Sequence, residues 1–189
     1  MINAILDFWF TNGTFDMWFK SGTLHDAQIT YHFKKTLKQA ENFELLDWLN
    51  TKDGYVAYIV LLDQFSRHIY RNTPSAYKND NHSLAAADFG LEKYLNELTA
   101  NEKLFVLMPY QHTENIDYQK KGIGILADLI QNENKKNNRS VLQAALQHQI
   151  GHFNVLKRFG RFPKRNKILR WAPTIEEKTY IQKTPNLPY

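Results

Sequence analysis

Apolar residues recur at helical spacing along most of the chain. Ile29, Phe33, Leu37 and Ala40 fall on one face of a helix that would cover residues 24–41. The same periodicity predicts helices over residues 2–10, 80–95, 114–131 and 141–158. No alternating run rich in Val, Ile or Thr is bounded by Asn-Gly or Asp-Gly turns, which argues against a sheet. The pattern therefore predicts an all-α fold.

The most apolar segment, residues 55–62, runs directly into a polar one. The polar residues that follow are Asp63, Gln64, Arg67, His68 and Arg71. Asp63 and Arg67, Gln64 and His68, and Arg67 and Arg71 are each four positions apart. Side chains at this spacing are neighbours only on a helix. This spacing favours a helix over residues 55–70 rather than a buried strand, and Pro74 follows its end.

Local signals mark several predicted helix ends. Two segments, Thr99–Glu102 and Thr174–Glu177, have the form of a capping box. Gly160 is expected to end the helix over residues 141–158. The residues predicted as N-caps are Asp80, Thr113 and Ser140. An apolar turn is expected to end at Pro109, and irregular structure is expected at residues 132–139 and 183–189.

Length and composition bound the class of protein. The 189 residues, 43% of them apolar, predict one domain over residues 1–189. The chain has no Cys, which excludes disulfides, thiolate metal ligands and a cysteine nucleophile. The longest apolar run is far shorter than the ~20 residues that span a bilayer, and the first residues lack the basic start of a signal peptide. These features predict a cytoplasmic protein with no membrane partner.

The net charge of +5 comes from one segment. Residues 157–170 contain seven of the 24 basic residues and no acidic residue, so the other 17 basic residues face 19 acidic ones. Arg161 and Arg165 lie beside aromatic residues in this segment, and a guanidinium group matches carboxylate or phosphate. The arginines either point outward toward a polyanion or fold back toward Asp63, Asp80 and Glu114. A patch this short argues against nucleic acid as a partner.

Three groups of polar residues are candidates for function. His112 and Glu114 form a possible acid–base pair near a predicted helix start, although Thr113 and Glu114 are also explained as capping residues. His148 and His152 share a helix face, but two histidines do not make a metal site, and we predict no metal and no cofactor. The candidate binding residues are Asp63, Gln64, Arg67, Arg71, His112, Glu114, Gln119, His152, Arg158, Arg161, Arg165 and Asn166.

The segments LLDQFSRHIYRNTPSAY, PYQHTENIDYQ and HFNVLKRFGRFPKRN, with DFWF near the start, resemble a bacterial family of unknown function, family 924. The resemblance covers nearly the whole chain and implies a single tetratricopeptide-repeat-like array of antiparallel helices. It places family motif residues at all of the candidate binding positions. The chain departs from the family pattern at Ser66, at His68, where the family usually has Asn, at Gln111 and at Lys164.

These features leave the function open between three hypotheses. The first is a helical binding or scaffold protein whose arginines hold an acidic peptide or a carboxylate. The second is an enzyme or binder for a small anionic metabolite, with His112 and Glu114 moving a proton. The third is a structural network of buried ion pairs. No nucleophile motif or phosphate loop supports the second hypothesis, so the first is preferred, with the polar groups expected to converge around Asp63.

Overall fold

The computed structural model describes residues 1–14, 17–18 and 23–185. Throughout these ranges the secondary structure is helical and contains no strand, which confirms the all-α prediction. The chain divides into two compact units, Met1–Pro109 (unit 1) and Tyr110–Tyr189 (unit 2). The single domain and the tetratricopeptide-like arrangement stay predictions. The end of the predicted irregular tail, residues 186–189, lies outside the described residues.

Unit 1 is built around a helix that is buried along most of its length. Its α-helices are α1 (Ile2–Leu6), α2 (Thr23–Glu41), α3 (Lys52–Ile59), α4 (Ser66–Ile69), α5 (Asp80–Tyr94) and α6 (Ala100–His112), the last containing the boundary between the units. Two π-helical segments, Asp7–Thr11 and Val60–Phe65, and three 3₁₀ turns, Leu46–Asn50, Pro74–Tyr77 and Leu95–Glu97, complete it.

The apolar run predicted at residues 55–62 forms the core of unit 1. All eight of its residues are 0% exposed. Trp9 packs edge-to-face against Phe65 and Phe105, with ring centroids 5.4 and 5.3 Å apart. Burial of this many large side chains is the main stabilising term for the unit.

The polar row after this run does not continue as a regular α-helix. The π-helical segment Val60–Phe65 joins α3 to α4, and a π-turn adds a residue that rotates everything beyond it around the helix axis. Asp63 and Gln64 lie within this segment, and both are buried. Arg67 still reaches Asp63, as the spacing predicts, whereas Arg71 lies beyond the end of α4 and binds Asp26.

Several predicted helix ends differ from the observed ones because tertiary contacts override local signals. Asp80 is the first residue of α5 and not its cap, since its carboxylate binds Arg67. Asn115, not Thr113, caps the next helix by accepting two backbone N–H groups. Pro109 lies inside α6, whose residues on both sides of the proline are buried. Ser140 lies inside a helix, and its hydroxyl donates to the carbonyl of Lys136.

Unit 2 contains two long helices and a short basic turn. Its α-helices are α7 (Ile116–Asn132), α8 (Lys136–Phe159), α9 (Asn166–Leu169) and α10 (Ile175–Lys183), with a 3₁₀ turn at Pro163–Arg165. The connection predicted at residues 132–139 is shorter than expected, because α8 already begins at Lys136. Gly160 ends α8 with φ 72°, as predicted, and both predicted capping boxes form.

A buried pair of glutamines fixes α7 against α8. The Nε2 of Gln149 donates to Oε1 of Gln119 at 2.6 Å and to the carbonyl of Tyr110 at 3.2 Å. Gly122 allows this close approach, because a Cβ there would lie 3.1 Å from Oε1 of Gln149 on α8 and 2.9 Å from the Cβ of Tyr110 on α6. Gln119, one of the predicted binding residues, is 0% exposed and serves this packing. Among the described residues, no helix combines the length and apolarity required to cross a membrane.

Candidate functional site

The predicted site residues form separate clusters, which we name by one member each. In unit 1 the Arg67 cluster contains Asp63, Gln64, Arg67 and Asp80, and the Asp26 cluster contains Asp26, His68 and Arg71. In unit 2 the Glu177 cluster contains Arg161, Asn166 and Glu177, and the His152 cluster contains His112, His152, Phe162 and Arg165. Whether the clusters of the two units converge around Asp63 stays a prediction.

The Arg67 cluster is a buried ion network. The guanidinium of Arg67 donates to the carbonyl of Asp63 and to Oδ1 of Asp80, both at 2.9 Å, and lies 3.5 Å from Oδ1 of Asp63. Burial lowers the pKa of Arg67, but the charges of Asp63 and Asp80 outweigh it, so the pKa is raised overall. Gln64 donates to the Asp63 carboxylate and to the sulfur of Met108. These contacts hold the arginine charged and fixed in place.

The Asp26 cluster joins α2 to the end of α4. Oδ1 of Asp26 lies 2.7 Å from Nδ1 of His68 and accepts a 2.8 Å hydrogen bond from Nη2 of Arg71, whose Nε binds the other carboxylate oxygen. Burial raises the pKa of Asp26, but the hydrogen bonds from Arg71 and His68 lower it by more, so the carboxylate stays ionised. Arg71 is thus paired, and its partner is a residue that the sequence motifs did not indicate.

The Glu177 cluster occupies the basic segment of unit 2. Arg161 makes a two-point contact with Glu177, at 2.6 and 2.9 Å, and donates to the carbonyl of Ala172 at 3.1 Å. The hydrogen bond from Arg161 lowers the pKa of Glu177 from 4.5 to about 2, and the neighbouring Asn166 amide contributes. Arg161 therefore meets a carboxylate of its own unit. The nearby pair of Arg158 and Glu176 is exposed.

The His152 cluster gathers two imidazoles and a guanidinium beside an aromatic ring. The Nη2 of Arg165 donates to the carbonyl of His112 at 2.8 Å, and its guanidinium lies 4.8 Å from the ring centre of Phe162. The rings of His112 and His152 are 6.2 Å apart, and His152 packs edge-to-face on Phe162 at 5.5 Å. The side chains come from the end of α6, from α8 and from the 3₁₀ turn.

Burial is the main cause that keeps the imidazole of His152 neutral, and cationic neighbours add to it. Burial, together with the neighbouring charges of His112, Arg165 and His148, lowers the pKa of its imidazole to about 3, although the hydrogen bond to the His148 carbonyl raises it. The Nδ1 of His152 donates to the carbonyl of His148 at 2.8 Å, so the neutral ring carries its lone pair on Nε2. A site where cationic neighbours disfavour one more positive charge favours an anion for the same reason.

Glu114 binds the backbone of the basic turn. Its Oε1 accepts a 2.9 Å hydrogen bond from the backbone N–H of Phe162. The carboxylate therefore fixes the basic turn in place, and the proton-transfer role of His112 with Glu114 stays a prediction. Among the residues that the structure describes, no group of three His, Cys, Asp or Glu side chains is arranged to hold a metal ion.

Sequence reasoning missed three carboxylates. Two of them complete clusters described above, and the third belongs to a neighbouring group of polar residues. Asp26 and Glu177 partner Arg71 and Arg161, and Glu41 accepts from Lys78 at 2.9 Å and from Tyr70 at 3.1 Å. Asp26 and Glu41 lie on the predicted helix over residues 24–41, where polar positions are expected anyway. Glu177 had a local signal, its capping box, which explained it without reference to Arg161.

Comparison with known proteins agrees with the sequence resemblance. A solved structure described as a protein of unknown function, ATU0120, from Agrobacterium tumefaciens superimposes with a TM-score of 0.85 at 28% sequence identity, over 96% of this chain and 97% of that one. No curated protein matches the chain. The family model described as bacterial protein of unknown function (DUF924) matches residues 5–185. The chain therefore belongs to the DUF924 family.

Proposed function

We propose that this protein binds a carboxylate, presented by an acidic peptide or a small metabolite, at the His152 cluster of unit 2. The observation that carries the proposal is the placement of the Arg165 guanidinium, which the His112 carbonyl and the Phe162 ring hold next to two imidazoles. A guanidinium that is fixed before binding loses little conformational entropy when it grips a carboxylate.

The ion pairs of three other arginines argue against those arginines as the ligand site. Arg67, Arg71 and Arg161 each contact carboxylates within their own unit, and all of these carboxylates are at most 18% exposed. A ligand would have to displace a partner that is already bound. The proposal concerns Arg165 with its two histidines, which are half-buried (His112) and buried (His152).

The proposal favours a binding protein over an enzyme. The imidazole of His152 is neutral near pH 7, because burial and its cationic neighbours lower its pKa. A carboxylate placed beside this ring would raise the pKa of His152 toward its ordinary value, and binding would take up a proton as pH falls. Binding is therefore expected to tighten below neutral pH.

Calorimetric titration with succinate and with a blocked acidic tetrapeptide tests the proposal. Replacing Arg165 by Gln is expected to weaken binding at least about tenfold, the loss of one charge-assisted contact. The matched control is Arg158→Gln, an arginine of the same segment whose ion pair with Glu176 is more than half exposed. Preference for the peptide over succinate identifies the source of the carboxylate. The proposal fails if neither compound binds, or if the Arg165 variant binds as tightly as the control.

The Arg67 cluster supports the structural hypothesis for unit 1. Its carboxylates and guanidinium are mutually bonded and largely buried, and such networks fix helix packing without needing a ligand. We therefore propose that Asp63, Gln64 and Arg67 stabilise the unit. An Arg67 variant that still binds carboxylates but unfolds more easily is the expected result, and lost affinity with unchanged stability would overturn it.

A further inference from the structure

Side chains of unit 2 bind the last carbonyls of α6. The last four carbonyls of an α-helix have no partner within the helix, and here they belong to Tyr110, Gln111, His112 and Thr113. Each of the four accepts a hydrogen bond from a side chain of the same unit. These donors therefore fix the direction of the peptide groups at the end of α6.

Gln119 on α7 supplies two of the four hydrogen bonds. Its Nε2 donates to the carbonyl of Gln111 at 2.7 Å and to the carbonyl of Thr113 at 2.9 Å. An amide nitrogen carries two hydrogens, so these two bonds use both of them. The two carbonyls stand on either side of His112 in the chain, and the Gln119 side chain is 0% exposed. Gln119 thus holds both peptide groups that flank His112.

Gln149 on α8 determines which way the Gln119 amide points. Its Nε2 donates to Oε1 of Gln119 at 2.6 Å. If the Gln119 amide were turned over, its oxygen would face two carbonyl oxygens and its nitrogen would face another amide nitrogen, and both contacts are repulsive. Gln149 is also 0% exposed, so the amide is fixed from both sides inside the unit.

The carbonyl between the two that Gln119 holds is the one that binds Arg165. The Nη2 of Arg165 donates to the carbonyl of His112 at 2.8 Å. The carboxyl end of a helix carries a partial negative charge, which favours a cation at this position. Since Gln119 fixes the peptide groups on both sides, the His112 carbonyl has a set direction, and the guanidinium is held where that carbonyl points.

We infer that Gln119 is a positioning residue for the carboxylate site: it holds the His112 carbonyl and, through it, the Arg165 guanidinium. The inference rests on the proposed function for the ligand, whereas the hold on Arg165 exists in the free protein. A guanidinium released from this hold has to be ordered when the ligand binds. Ordering one long side chain weakens binding about two- to tenfold.

Calorimetric titration of Gln119→Met with succinate and with the blocked acidic tetrapeptide tests the inference. Methionine keeps the length of the side chain and removes both donors, so affinity should fall about two- to tenfold. In an Arg165→Gln background the same change should cost no further affinity, because the guanidinium that Gln119 positions is gone. The control is Leu142→Ala, a residue 1% exposed on α8 and about 15 Å along the helix from His152. It should lower the melting temperature and leave affinity unchanged.

NMR relaxation of the Arg165 Nε–H group measures the hold without any ligand. The group should be rigid in the free wild type and more mobile in Gln119→Met. Gln149→Met keeps both donors of Gln119 but removes the bond that orients them, so it should loosen Arg165 to a smaller extent. This second variant serves where thermal melting shows that Gln119→Met does not fold.

Three results would overturn the inference. The first is a folded Gln119→Met that binds as tightly as the wild type, and the second is an equal loss of affinity in the Arg165→Gln background. The third is an Arg165 Nε–H group that is mobile in the free wild type or equally rigid in the folded variants. If the wild type binds neither compound, the proposed function fails, and the mobility of Arg165 then decides whether Gln119 holds it.

Discussion

Replacing Arg67 by Met tests whether the buried ion network stabilises unit 1. The change removes two hydrogen bonds of 2.9 Å, to the carbonyl of Asp63 and to Asp80, and leaves the Asp63 carboxylate, 0% exposed, without its cation. Removing one partner of a buried ion pair costs about 3–5 kcal/mol. Since the Arg67 side chain is 20% exposed and water can enter in its place, we expect the lower end, about 3 kcal/mol.

Urea unfolding followed by tryptophan fluorescence measures this loss. Three of the four tryptophans, Trp9, Trp18 and Trp48, lie in unit 1, so the signal reports mainly on that unit. With a urea slope of about 2 kcal/mol per molar, a loss of about 3 kcal/mol lowers the midpoint by about 1.5 M. The control is Lys52→Met in the same unit, where the lysine is 35% and its partner Asp53 55% exposed, and for such a pair we expect at most about 0.5 kcal/mol.

The pH dependence of the Arg67 variant separates an unpaired charge from a packing defect. Without its cation, the buried Asp63 has a folded-state pKa above its unfolded value, so the penalty is largest at high pH and falls as the carboxyl becomes protonated. The loss should therefore shrink from pH 8 to pH 5, and Asp63→Asn should restore part of the stability. A loss within 0.5 kcal/mol of the lysine control, or one that is independent of pH, would show that the network does not act in this way.

Three further predictions concern stability. Gly122→Ala should destabilise unit 2 by about 1 kcal/mol, because the new Cβ would lie 2.9 Å from the Cβ of Tyr110. Gly124→Ala on the same helix should stabilise the unit by up to about 1 kcal/mol, because nothing lies within 4 Å of its Cβ. Chemical unfolding compares the two variants, and equal effects would contradict the packing argument. Tyr55→Phe should cost about 1 kcal/mol, the loss of a buried 2.8 Å hydrogen bond to a carbonyl of α5, and an unchanged melting temperature would argue against that bond. The pKa of Glu177 is lowered from 4.5 to about 2, so the stability that its ionised carboxylate contributes is complete above pH 4.5 and is lost as pH falls toward 2. The stability of Arg161→Gln should lack this pH-dependent contribution in acid unfolding. A profile identical to that of the wild type would refute the pairing.

The candidate site was only partly accessible from the sequence. The motif residues Asp63, Arg67 and Arg165 were identified by type and spacing, and each lies in a polar cluster. The partner of Arg71 was not identified, because Asp26 lies 45 positions away and its own helix gives no local signal for that contact. Ion pairing between distant segments depends on how helices pack, and single-sequence periodicity contains no such information.

Helix boundaries show the same division between local and tertiary effects. Both capping boxes and the Gly160 terminus formed as predicted, since each depends on atoms within a few residues. Pro109 is different, because it lies within a helix whose neighbouring residues are buried. A proline costs about 3 kcal/mol in a helix interior, and burial of several apolar side chains nearby offsets that amount.

The sequence by itself determined that the chain is helical and that residues 55–62 form its core, because periodicity and hydrophobicity act on neighbouring residues. It also identified the family from the order and spacing of three motifs. Only the tertiary structure decided which arginines are paired and that residues 60–65 form a π-helical segment. It also decided that His68 meets Asp26. The physical reason is that the position of a charge along the chain does not determine its partner, which is selected by the packing of whole helices.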